Sequence, residues 1–300
     1  MQIADDVPAE YRDAIQASVT TLARRSAEAS RRAFERSKAR YEALTAINRP
    51  LLRMLEEDAD ASQALAAAGR RLEEFRSDPP TQEPAWPTVK LVDGRSRAAD
   101  ATGFLADQVF VSPWHYRWDW WKGAPPTLSV PVQPTGRITV QNWASSHSDR
   151  PWADAHAGFG IALRPTQHQV VVARSLRRTE HEYRVDSDST GSATVEGGVE
   201  MTLLDPDLPE PDRLLSLAKD KRFRKRVSGW ESDSVDPDGW TTGDGGIQVS
   251  WVMQPGRVYT INVGAWVFCE AHGGALPHHS STAWARLNAE VISITADFTD

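Results

Sequence analysis

The chain has 300 residues, 40% of them hydrophobic and 25% charged, with a formal net charge of -7 at pH 7. This is the composition of a folded globular protein, which excludes collagen-like and wholly disordered chains. The negative balance disfavours nucleic acid as a partner. The single cysteine, Cys269, excludes an internal disulfide framework. No run approaches the ~18 uncharged apolar residues of a membrane helix, so no transmembrane segment is expected. The opening MQIADDVPAEYRD is acidic where an export signal would be basic, and a cytoplasmic location is expected on that ground.

From Pro8 to about Ser77 the spacing predicts helix. Ile15, Val19, Leu22, Ser26, Ala29 and Ala33 alternate steps of four and three, a heptad seam. The seam then slips by one residue and resumes through Phe34, Tyr41 and Asn48, with Leu44 and Leu51 beside them. Asn48-Arg49-Pro50 predicts a break, and Asp58-Ala59-Asp60 a second one before a last helix carrying Leu65, Ala68, Leu72 and Phe75. The first helix would be roughly 40 residues, about 60 Å long. Its seam is thin, with Ser and Ala at several positions, so it needs a partner helix. That partner comes either from a helical hairpin or from other copies of the chain. Residues 1–78 therefore read as a coiled-coil assembly region, and a homo-oligomer is expected.

Pro79, Pro80, Pro84 and Pro87 mark residues 79–87 as a stiff linker. All 12 Trp lie at Trp86 or later, and the chain changes character there. Residues 88–300 adopt a period of two, the mark of half-buried antiparallel strands. Phe159, Ile161 and Leu163 form one such row, as do His181, Tyr183 and Val185, and Val195, Val199, Met201 and Leu203. Ile247 to Met253 and Tyr259 to Cys269 continue the pattern. In the last strand the apolar parity changes after Val291, which predicts a β-bulge. A short helix is expected near Asp212–Lys225. The fold class expected is α+β multidomain: a helical hairpin or coiled coil followed by a large antiparallel β-sandwich, jelly-roll-like.

Chemical motifs are sparse. GxxxxGK, GxSxG and HExxH do not occur, so no catalytic residues are assigned. Cys269, His272, His278 and His279 offer zinc-type ligands, but Cys269 continues an inward row and reads as a small buried hydrophobe. Asp186, Asp188 and Thr190 stand at positions one, three and five before Gly191, as in calcium loops, although plain turns use the same residues. Calcium is the one cofactor candidate. Lys221, Arg222, Arg224 and Lys225 form a basic patch, suited to phosphate, to a helix C-terminus or to an acidic face of another subunit.

The strongest feature is Trp114-His115-Tyr116-Arg117-Trp118-Asp119-Trp120-Trp121. Flanking Pro113, Gly123, Pro125 and Pro126 favour a turn-bounded segment over an inner strand. Trp114, Tyr116, Trp118, Trp120 and Trp121 would either stack on a partner or fill the junction between sheet and helices. The sequence thus predicts a non-enzymatic binding and assembly protein whose sandwich recognises a protein or a glycan. Two rivals remain: a carbohydrate-active enzyme, and a pore-forming toxin inserting residues 187–205.

Overall fold

Alternation gives each strand two rows of side chains, and the structure uses one row to stack two sheets and the other to receive a helix. In the computed structural model the described residues are 1–5, 7–58, 60, 63, 108–112, 114–122, 136–148, 150–187, 191–237, 239–242, 246–273 and 280–299. Strand β1 (Gln2–Ile3) leads into helix α1 (Ala9–Glu57). Then follow β2 (Gln108–Phe110), β3 (Tyr116–Lys122), β4 (Arg137–Ser145), β5 (Trp152–Leu163) and β6 (Gln169–Asp186). The remainder comprises β7 (Ser192–Leu204), β8 (Leu214–Ser228), β9 (Ser232–Val235), β10 (Thr241–Thr242), β11 (Ile247–Met253), β12 (Tyr259–His272) and β13 (Thr282–Thr299).

One sheet has the order β1-β3-β5-β12-β7-β8. The other is built on the long antiparallel pair β6–β13, with β9, β10 and β11 along β6 and β2 and β4 along β13. The predicted rows meet between them: Phe159 and Ile161, Val195 to Leu203, and Ile261 to Cys269 all lie in the sandwich core. The bulge expected near Val291 is present, since Val291 pairs with Arg177 and Ser293 with Leu176, leaving Ile292 over. The far face of the second sheet carries charge pairs, Arg286 with Glu182 and Arg178 with Glu290.

The helical region differs from expectation. α1 is a single helix of 49 residues, about 73 Å long, running through Asn48-Arg49-Pro50 without the predicted break. Pro50 removes one hydrogen-bond donor, and Ala46, whose carbonyl loses it, is exposed to water. No hairpin is formed among the described residues, and the segment Leu65 to Phe75 and the linker 79–87 lie outside them. The seam finds its partner in the sandwich instead. Ile15, Val19 and Leu22 are buried against Tyr116, Trp118, Ala162 and Leu204, on the outer face of the first sheet.

This docking corrects a second expectation. The alternation predicts half-buried strands, yet β5, β7 and β12 are buried on both faces, with the second sheet on one side and, over β5 and β12, α1 on the other. The helix expected near Asp212–Lys225 is the strand β8. A bulge hid its period: Gly197 pairs with Phe223 and Gly198 with Lys221, so Arg222 is the extra residue. Lys219 and Lys221 therefore face α1, while Phe223 and Val227 turn into the core.

Candidate functional site

The face under α1 is made of the residues that alternation leaves out of the core. From β5 it takes Asp154 and His156, from β7 Glu196 and Glu200, from β8 Lys219 and Lys221, and from β12 Trp266, Phe268, Glu270 and His272. Glycines let the large rings lie flat against the sheet. A Cβ on Gly160 would stand 2.1 Å from the Tyr116 ring, and one on Gly264 would stand 2.8 Å from the Trp118 ring.

At the centre sits His156, almost fully buried. Its Nδ1 lies 2.8 Å from Glu200 Oε1 and its Nε2 lies 3.1 Å from Asp154 Oδ2. Burial alone pulls the imidazolium down, but the charges of Asp154 and Glu200 and the hydrogen bonds to them outweigh it, pushing the group up to about 9. For Glu200, burial works upward and is overcome by His156 and then Lys219, so the carboxyl is held down at about 2. Lys219 Nζ reaches Glu200 at 3.1 Å and lies 5.1 Å from the centre of the Trp266 ring. Trp120 also packs on His156, with 5.3 Å between ring centres.

α1 closes over this cluster with small and hydroxyl side chains. The Ser30 hydroxyl donates to Asp154. Ser37 donates to Glu270 at 2.9 Å and lies 3.1 Å from His272 Nε2. Phe34 stacks on Trp152 and on His272, and Tyr41 stacks on His272 and donates to the Gly273 carbonyl. Two cavities remain along the helix, one of about 340 Å³ and one of about 650 Å³.

The arrangement is poor at hydrolysis. Both nitrogens of His156 face carboxylates, so as an imidazolium it donates from each and has no lone pair left to act as a base. Glu200, held ionised, cannot serve as a general acid. Ser37 and the Glu270 carboxylate both stand on the Nε2 side of His272, whereas a relay needs them on opposite nitrogens.

Of the tryptophan segment, Trp114 belongs to the sandwich core, packed on Phe159 at 5.5 Å. Tyr116, Trp118 and Trp120 share the α1 side of β3, which is a strand beside β5 and so corrects the turn-bounded reading. Tyr116 and Trp118 are buried, Trp120 is half-buried, and Trp121 is exposed. α1 covers Tyr116 and Trp118, which thus fill the junction between sheet and helix, while Trp120 and Trp121 keep access to solvent.

The basic patch lies along β8, at the end of its sheet. Lys221 pairs with Glu196 at 2.7 Å, Arg222 with Asp220 at 3.3 Å, Arg224 with Glu196 at 3.6 Å and Lys225 with Asp233 at 2.7 Å. It is a strand laced with charge pairs, three of them to other strands and one within β8, not a helix end, and its lysines suit an edge strand that must not recruit another. Asp186 closes β6, while Asp188 and Thr190 of the calcium candidate lie outside the described residues, as do His278 and His279. No metal-binding group of three occurs among the described residues. Cys269 is buried in the core, with burial pushing its thiol up. β7, which spans most of the segment assigned to insertion, is an inner strand between β12 and β8. No helix is long and apolar enough to cross a membrane among the described residues.

No protein family matches the sequence, and no curated protein does. Among solved structures, the chain is similar to an isomalto-dextranase of Arthrobacter globiformis complexed with panose, at 11% identity, covering 57% of this chain and 22% of that one, with a TM-score of 0.17. A carbohydrate-binding module of the β-sandwich superfamily matches at 9% identity over 61% of this chain and 57% of its own, TM-score 0.17. A lectin from Bauhinia forficata in complex with GalNAc matches at 11% over 62% of this chain and 100% of its own, TM-score 0.18. Such scores fall short of a shared fold, and the functional reading rests on this protein's own geometry.

Proposed function

We propose that the protein is a non-enzymatic recognition and assembly protein whose sandwich takes a glycan on the face beneath α1. The observation that carries this reading is the mixture on that face: flat rings of Trp120, Trp152, Trp266 and Phe268 interleaved with the carboxylates and ammonium groups of Asp154, Glu200, Glu270 and Lys219. Aromatic faces bind the apolar side of a sugar ring, and charged groups at its edge satisfy hydroxyls in both directions. A protein partner would more naturally use an exposed apolar patch, and this face is neither exposed nor uniformly apolar.

The saturated His156 favours binding over catalysis, against the carbohydrate-active rival. The assembly role falls to α1 beyond Tyr41, where Leu44, Ile47 and Met54 are exposed at heptad spacing. A fluorescently labelled full-length protein tested on an array of monosaccharides and oligosaccharides checks the binding half. Retention on at least one glycan class, weakened by Trp152→Ala, is the expected result. Release of reducing sugar from a retained glycan would overturn the non-enzymatic reading, and retention on none would overturn the glycan.

A further inference from the structure

The smaller cavity beneath α1 is roofed by residues that decline to fill it. Before it, the sheet-facing positions of α1 are Ile15, Val19 and Leu22; over it they are Ser26, Ala29, Ser30 and Ala33. The thin part of the heptad seam is thus the part that spans the open space of about 340 Å³. A helix selected only to pack would carry Leu there, since an unfilled volume forfeits contacts on every wall.

The walls are also unlike those of a packing gap. Trp266, 6% exposed, keeps its Nε1–H without a hydrogen-bond partner. A buried donor left unmade is costly, and an acceptor lodged in this cavity would supply its partner. The charged walls are already paired: Lys221 with Glu196, His156 with Asp154, and Lys219 with Glu200 of the adjoining cavity.

From this geometry we infer that the cavity is a binding cleft, open along one side, for one neutral, hydroxyl-rich ring, a single sugar unit, held between Trp266 and the Ser/Ala roof of α1. The inference deepens the proposed function and rests on it. An anion or a cation would have to draw a wall charge out of its existing pair, whereas a neutral ring leaves every pair intact. A sugar hydroxyl can accept from the Trp266 Nε1–H. The volume stands at the low end of the ~300–1,000 Å³ of small-molecule sites. A longer glycan would have to displace α1, whereas one ring fits with the helix in place.

Calorimetric titration of the full-length protein with neutral monosaccharides tests the site: the methyl glycosides of glucose, galactose and mannose, N-acetylglucosamine and xylose. Glucuronate and glucosamine serve as charged counterparts, and neutral hexaoses as long chains. Saturable binding of at least one neutral ring is expected, weakened roughly tenfold by Trp266→Phe, which keeps the ring and deletes the donor. Ala29→Leu fills the roof and is expected to raise the Tm while abolishing binding, and it stands as an independent test should Trp266→Phe fail to fold. Binding of the charged sugars alone, or binding that Ala29→Leu leaves intact, would overturn the inference. Hexaose binding without monosaccharide binding would also overturn it while leaving the proposed function in place, and binding of no carbohydrate would remove both, with the cavity then only a hydrated gap.

Discussion

His156 is the residue whose chemistry is most altered by the fold. Alone it would carry little charge at neutral pH, but between Asp154 and Glu200 it keeps its proton up to about 9. The stability consequence follows from linkage. A group raised from 6.5 to about 9 on folding contributes fully below 6.5, and the contribution is lost as the pH rises through 9. Glu200, lowered from 4.5 to about 2, contributes fully above 4.5 and loses its contribution as the pH falls through 2. Urea midpoints measured from pH 5 to pH 10 should therefore be flat to about 6.5 and then decline. In His156→Gln the alkaline decline should vanish and the whole curve should sit lower, since two buried carboxylates lose their cation. A parent curve with no decline between 6.5 and 9 would contradict the buried ion cluster.

At the scale of elements, α1 divides into three stretches with different holds. Ile15 to Leu22 are fixed by apolar burial against Tyr116 and Trp118. Ser26 to Tyr41 are held by hydroxyls and stacked rings, over cavities. Beyond Tyr41 the described side chains are exposed or half-buried. Detaching the helix thus depends on the first stretch. Leu22→Glu puts a charge into that apolar seat, forfeiting at least ~2 kcal/mol of burial. Amide exchange over Ser26 to Tyr41 should accelerate by more than an order of magnitude, while the sandwich strand β12 keeps its core protection. Unchanged exchange in α1 would mean that the polar clasp, not the apolar anchor, seats the helix.

At the scale of the molecule, the seam that predicts self-association is spent on the sheet, so the assembly proposed above has to use what α1 leaves free. Leu44, Ile47 and Met54 are that remainder. Light scattering of the full-length protein should find an oligomer at micromolar concentration, and Ile47→Glu together with Met54→Glu should reduce it to one chain with an unchanged melting curve. A parent protein of monomer mass would remove the assembly role. Much of the sandwich was legible beforehand, because period-two rows such as Val263, Ala265, Val267 and Cys269 state which side of a strand is apolar. The bulge at Ile292 was legible for the same reason, as a change of parity. β8 was not: its extra residue, Arg222, falls inside a run of charges, where parity carries no apolar signal.

The candidate site was hidden by a related ambiguity. Asp154, His156, Glu200 and Glu270 occupy the off-core parity of their strands, where a charged residue ordinarily means water. One trace was available, the recurrence of acids and histidine at that parity on three separate strands. The sequence by itself determined two sheets with an apolar filling and a helix with a seam that thins to Ser and Ala after Leu22, since these follow from residue type and spacing along the chain. Only the tertiary structure decided that the seam lies on the sandwich, because docking sites are matched in space and leave no period in the sequence. That one decision turns a solvent-facing row into a buried cluster, keeps His156 charged, and sets Trp118 in the junction between sheet and helix, one of the two placements the sequence left open.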